Sequence, residues 1–204
     1  MKTIYTKIYS VVIISVVGIL TACNQNKGDG TVTETTNAKV DYGGFESNVK
    51  YGEHLVTICG CNDCHTPKKM GANGMELDSS LLLSGHPSQT PCPDVDRKKM
   101  ESKGVICTND LTAWVGPWGV SYTANLTPDP TGIGNWDEAT FMTAIRMGKF
   151  KGIESGRGLL PPMPWEMIKN MTDKELEAVF AYLKSIPPIR NIVPAPELPA
   201  LAAK

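Results

Sequence analysis

Cys61-Asn62-Asp63-Cys64-His65 places two thiols three positions apart, with an imidazole on the next residue. This is the spacing of covalent c-type haem attachment, in which each thiol adds to one haem vinyl group and the following histidine reaches the iron as proximal ligand. Two other chemistries use Cys-x-x-Cys. A thioredoxin-type pair follows a strand and opens a helix, whereas here a helical pattern of Tyr51, Leu55 and Ile58 runs into the motif from its N-terminal side. A zinc ribbon needs a second closely spaced pair, and Cys92 and Cys107 lie too far apart in sequence to supply one. The pentapeptide reads as one haem c held by Cys61 and Cys64, with His65 on the iron.

Lys2 and Lys7 precede an apolar run from Ile8 to Leu20, which is too short to span a bilayer comfortably and reads as a secretory signal peptide. The run ends Leu20-Thr21-Ala22-Cys23, which resembles the bacterial lipobox; the resemblance implies that Cys23 is acylated and becomes the first residue of the mature chain. Each buried methylene of such acyl chains contributes about 0.8 kcal/mol, so several chains on one cysteine hold a protein stably at a membrane. Export also puts the thiols where bacteria attach haem. Asn24 is not the aspartate linked to inner-membrane retention, which leans the expectation towards an outer membrane. The expected location is a bacterial cell membrane, inner or outer, with the domain facing the periplasm or the exterior.

Loss of the leader with Lys2 and Lys7 moves the formal charge from -1 to about -3. No basic stripe or aromatic-interleaved patch is present to track a phosphate backbone, so no nucleic-acid partner is expected. Residues 23–41 are Thr, Asn, Gly and Lys with almost no large apolar side chain, and read as a flexible tether with a reach of about 25 Å. The expected organisation is a leader at 1–22, this tether, a haem domain at 42–194 and a tail at 195–204.

The domain shows three helices joined by long Gly- and Pro-rich stretches, with no clean alternating strand, so an all-α fold is expected. The first helix runs from about Ser47 into the haem motif. The second follows Trp136, with Asp137 as N-cap and Phe141, Met142 and Ile145 on a buried stripe. The third opens with the capping box Thr172-Asp173-Lys174-Glu175, staples Met171 to Leu176, and lines Leu176, Val179, Phe180 and Leu183 along one face before Pro187 and Pro188 stop it.

With these pieces in place the chain resembles class I cytochromes c, small α-helical domains whose N- and C-terminal helices cross around one haem. The resemblance includes Cys61-x-x-Cys64-His65, the segment Leu159-Leu160-Pro161-Pro162-Met163-Pro164-Trp165, and Ala181-Tyr182-Leu183-Lys184-Ser185 in the closing helix. Asn125-Leu126-Thr127-Pro128-Asp129, followed by Thr131-Gly132-Ile133-Gly134 and Trp136, is similar to the cytochrome subunits and carriers associated with membrane-bound alcohol dehydrogenases. Those subunits usually carry several haems, and this chain has one attachment motif.

Among the nine methionines, Met163 is the candidate sixth ligand. Pro162 and Pro164 keep its flanks out of helix and remove two backbone donors, which fixes a loop that can present a soft thioether. Met142 and Met147 sit on a helix where core packing is expected, Met171 staples, and Met70 and Met75 lie on the loop just after His65. His86 is the rival ligand and would give a bis-histidine haem of lower potential; its other role is a loop imidazole bonded to backbone. His54 reads as a surface histidine. Trp114, Trp118, Trp136, Asn125 and Arg146 are candidate partners for the haem propionates, with ordinary packing as the other reading for each. Cys92 and Cys107 bracket a polar insertion and form the expected disulfide, a closure that contributes about 3 kcal/mol. Cys59 is left as a small buried thiol, with pairing to either distal cysteine open.

His65 and Met163 together would fill both axial positions and leave no open site for oxygen or substrate. The expectation is a one-electron carrier rather than an enzyme. Its expected redox partners are a dehydrogenase or quinol-oxidising complex on one side and a terminal oxidase or another cytochrome on the other. A haem-based sensor with a weakly held sixth position is the alternative.

Overall fold

Ser47 opens the first helix by accepting a hydrogen bond from Lys50 N, and α1 runs Asn48–Ile58. The computed structural model describes residues 41–200. The leader, Cys23, all of the tether except Asp41 and the last four residues of the tail lie outside the described residues. α1 does not continue into the haem motif. It stops at Cys59, and Gly60 turns the chain through the left-handed region (φ 66°), which glycine enters without Cβ strain, before α2 forms over Cys61–His65.

The closing helix α6, Asp173–Ser185, carries the expected capping box at Thr172 and Glu175. α1 crosses it at Gly52, where a Cβ would overlap the backbone carbonyl of Ala178. Beside the crossing, Tyr51 Oη donates to Glu175 Oε1 at 3.4 Å. Helix α4, Glu138–Arg146, starts on Asp137, which accepts from Thr140 N, and its Phe141 stacks on Phe180 of α6 with ring centroids 5.1 Å apart. Leu55, Val56, Phe141, Ile145, Leu176 and Leu183 close the core from these three helices. Full burial of each such side chain contributes roughly 1.5–3 kcal/mol. Met142 packs against this core as expected, whereas Met147 ends α4 with half of its surface exposed.

The helices follow the expected plan, but the fold is not all-α. β1 (Lys68–Gly71) and β2 (Gly74–Leu77) form an antiparallel hairpin with Met70 opposite Met75, so these methionines lie on a hairpin rather than in a loop. β3 (Cys107–Thr108), β4 (Ala113–Gly116) and β5 (Gly119–Tyr122) form a second antiparallel sheet in that order, with Val115 opposite Val120. Strands of two to four residues are too short to show alternation. In β4, moreover, Ala113, Val115 and Gly116 are all buried, so the polar half of the pattern is missing. Two short helices complete the chain, α3 (Arg97–Ser102) and α5 (Trp165–Ile168).

The expected Cys92–Cys107 disulfide is not formed. Cys59, Cys92 and Cys107 form no disulfide; Cys92 pairs with the Tyr122 hydroxyl, and Cys107 sits in β3 opposite Val115. The insertion holds together by other means. Arg97 bonds Glu197 Oε2 and the Leu198 carbonyl, each at 2.6 Å, and also reaches the buried Glu101 at 3.5 Å. These bonds also move the boundary at 194, because Glu197 and Leu198 of the expected tail are packed onto the domain.

Candidate haem-binding site

The left-handed turn at Gly60 lets α2 begin at Cys61, and the i, i+3 spacing puts Cys61 and Cys64 on one face of its single turn. Burial, with smaller contributions from Cys59 and Cys64, pushes the Cys61 thiol up to about 12, and burial also raises Cys64. The motif is tied down by Thr66, whose hydroxyl donates to Asn62 Oδ1 at 3.0 Å and accepts from Leu83 N at 2.9 Å.

His65 is buried, and its Nδ1 lies 2.8 Å from the Ala124 carbonyl oxygen. A carbonyl can only accept, so the proton sits on Nδ1 and the Nε2 lone pair is left unprotonated. Burial favours this neutral ring by lowering the imidazole below its ordinary range. Ala124 is held in turn by a ribbon of two chain segments: Gly85 N donates to the His65 carbonyl at 2.8 Å, His86 N to Thr123 O at 3.0 Å, and Leu126 N to Leu83 O at 2.9 Å.

Met163 follows the Pro161–Pro162 cis peptide, is half-buried, and donates its N–H to Leu160 O at 3.3 Å. A cleft of about 250 Å³ opens beside it, lined by Leu159, Pro161, Pro162, Pro164, Trp165 and Glu166. The loop is anchored to β5, where Ser121 Oγ donates to Pro161 O at 2.6 Å while accepting from Trp118 Nε1 at 3.1 Å. Trp118 therefore reaches the Met163 loop through Ser121.

The other polar candidates are placed elsewhere or already engaged. His86 is fully buried, with Nδ1 2.8 Å from Thr112 Oγ1 and Nε2 2.8 Å from Thr90 O, so both ring nitrogens have partners. His54 is exposed and lies on the Phe45 ring at 4.8 Å. Trp114 Nε1 donates to Leu111 O, and Asn125 Nδ2 to Ile189 O at 2.8 Å. Arg146 is committed to the start of α6, where it bonds the carbonyls of Lys169 and Met171 and the Asp173 carboxylate. Trp136 packs against the core, its carbonyl one of three that surround Lys184 Nζ. Arg146, Asn125 and Trp114 thus each bond at least one backbone carbonyl. The buried hydroxyl among the described residues that does lack a partner is Thr123 Oγ1, next to Ala124.

Sequence reasoning missed Ser121, Thr123 and Ala124. Ser121 sits on a hairpin with no legible periodicity, Thr123 follows just beyond it, and Ala124 acts through its carbonyl, which every residue possesses. The site fits a haem: two thiols one turn apart, a buried imidazole with Nδ1 anchored and Nε2 unprotonated, a thioether in a proline-braced loop and an orphan hydroxyl make up a suitable donor set.

A helical domain that crosses its first and last helices beside such a Cys-x-x-Cys-His turn defines the class of haem-attaching electron-transfer domains. The Cytochrome c family model matches residues 49–187, and the chain belongs to that family. It is accordingly an electron-transfer protein with covalently bound haem c. The chain is similar to the fructose dehydrogenase cytochrome subunit of Gluconobacter japonicus, 34% identical over 155 residues, which is 74% of this chain and 24% of that protein. It is also similar to a subunit of the nicotinate dehydrogenase of Pseudomonas putida, 41% identical over 83 residues (40% and 7%). A third relative is the cytochrome c subunit of an alcohol dehydrogenase (quinone) from Gluconacetobacter polyoxogenes, 42% identical over 67 residues (32% and 14%). The chain thus spans less than a quarter of the length of each of these relatives.

Proposed function

We propose that this protein is a lipid-anchored, single-haem electron carrier, with Cys61 and Cys64 bonded to the haem and His65 and Met163 as axial ligands. Haem c supplies one-electron exchange between ferric and ferrous iron. The chain supplies the rest. Ala124 orients the His65 ring and fixes its tautomer, so that Nε2 is the nitrogen offered to iron. Ser121 and the flanking prolines hold the Met163 sulfur, a soft donor that favours the ferrous state and raises the potential. With both axial positions taken by protein, no substrate reaches the metal. Cys23 would keep the domain at a membrane surface. The relatives' names support a dehydrogenase as electron donor; the proposal adds a quinol-oxidising complex as the other donor, and a terminal oxidase or another cytochrome as acceptor.

The observation that carries this proposal is the His65–Ala124 hydrogen bond on the same turn as the two thiols. The test is Met163→Ala in the mature holoprotein. Haem that survives a denaturing gel should be unchanged. The red-edge band from methionine to ferric iron should vanish, carbon monoxide should bind the ferrous form, and the potential should fall on the order of 0.2 V, within the range that axial ligation spans. An unaltered potential with no carbon monoxide binding would remove Met163 from the iron. Carbon monoxide binding by the unaltered protein would instead favour a sensor with an open sixth position.

A further inference from the structure

The chain beyond α6 does more than trail from the last helix. We propose that residues 187–198 form a strap that positions both axial donors, with Asn191 acting on the His65 side and Glu197 on the Met163 side. The proposal rests on the axial assignment above.

Asn191 has two amide hydrogens, and both are spent on the ribbon beside His65. Its Nδ2 donates to Ser84 O and to His86 O, each at 2.8 Å, which brackets Gly85, the residue whose N–H holds the His65 carbonyl. Its Oδ1 accepts from Ser88 N at 3.2 Å, and its backbone N–H bonds Thr131 Oγ1 at 3.0 Å. The opposite segment of the ribbon is gripped as well. Asn125, next to Ala124, donates to the strap carbonyl of Ile189 at 2.8 Å, while its Oδ1 accepts from Thr127 N at 2.9 Å. The carbonyl that sets the His65 ring therefore sits in a ribbon tied to the strap from both sides.

Farther along, the strap adds itself to β5. Val120 N donates to Glu197 O at 3.0 Å and Glu197 N to Val120 O at 2.9 Å. The contact is close enough that a Cβ on Gly119 would overlap the Glu197 carbonyl. The Glu197 carboxylate accepts from Tyr122 Oη at 3.1 Å and pairs with Arg97 at 2.6 Å. Between Val120 and Tyr122 lies Ser121, whose hydroxyl holds the Met163 loop at Pro161. Asn191 and the Glu197 side chain make none of their hydrogen bonds to α1, α4 or α6, so loosening them should disturb ligand geometry before it disturbs the helical core.

The test uses the full-length holoprotein with Asn191→Ala and Glu197→Ala, and Met163→Ala as the reference. Asn191→Ala should speed hydrogen exchange at His65 Nδ1, read by NMR of the ferrous form, by about tenfold, as expected when a local opening loses hydrogen bonds. Its methionine band should persist. Glu197→Ala should weaken that band and admit carbon monoxide, with His65 exchange unchanged. If Met163→Ala itself leaves the band intact, the axial assignment is wrong. If Met163→Ala abolishes the band while both strap variants match the unaltered protein, the strap does not position the ligands. If either strap variant moves both readouts together with a loss of helical signal, the strap is general scaffolding and the proposal is overturned.

Discussion

Ser121 Oγ donates to the carbonyl oxygen of Pro161 at 2.6 Å, across 40 residues of sequence, and so ties a buried strand to the loop that presents Met163. Ser121→Ala removes that bond together with the acceptor of Trp118 Nε1. The expected cost is about 2 kcal/mol, which corresponds to a fall in Tm of about 4–8 °C. A weakened methionine band should accompany it, and Ser121→Thr, which keeps the hydroxyl, should restore much of both. A Ser121→Ala protein with a full-strength band would show that the prolines alone hold the loop.

Gly52 touches α6 so closely that any side chain must push the helices apart. Gly52→Ala gains helix propensity, yet overpacking at a backbone contact should outweigh it and destabilise the fold by about 3 kcal/mol. Denaturant unfolding of the holoprotein would measure this. A midpoint equal to or above that of the unaltered chain would mean that the α1–α6 crossing is not a tight constraint.

The capping box gives α6 a defined response to acid. Hydrogen bonds from the Thr172 backbone and hydroxyl hold the Glu175 carboxyl below its ordinary range. A depressed carboxyl binds fewer protons folded than unfolded, so its contribution is complete above the unfolded pKa of about 4.3 and is lost as pH falls through the lower folded value. Glu175→Gln should therefore be less stable than the unaltered protein at neutral pH, and the gap should close towards pH 3. Thr172→Ala should cost about 1 kcal/mol at neutral pH through the lost cap. A gap that stays constant with pH would show that Glu175 does not titrate against the helix start.

Helix starts and the attachment motif were legible because their signals are local. Asp137 and Thr172 cap the helices they announce, and Pro187 with Pro188 ends the last one. The strands were not legible, because β4 is buried on both faces and β1 and β2 are exposed throughout most of their length, so neither alternates. Within the site, the thiols, His65 and Met163 stand out by residue type. Their supports do not: Ala124 and Pro161 act through carbonyls, and Asn191 lies in a stretch that composition alone assigns to a loop. Arg146 shows the same limit in reverse, since a cation between two ligand segments in sequence bonds the start of α6 in the fold.

The half-buried thiol at Cys61 bears on when haem can be attached. Thiols react as thiolates, and a side chain pushed up to about 12 offers roughly three orders of magnitude less thiolate than an ordinary cysteine near 8.5. The shift depends on the folded turn, where α2 sets the Cys61 thiol beside Cys59 and Cys64. In the proposed carrier, haem attachment at Cys61 is therefore expected to be faster while this turn is unfolded than after it has folded. Slower thioether formation with prefolded than with denatured apoprotein would bear this out, and equal rates would refute it.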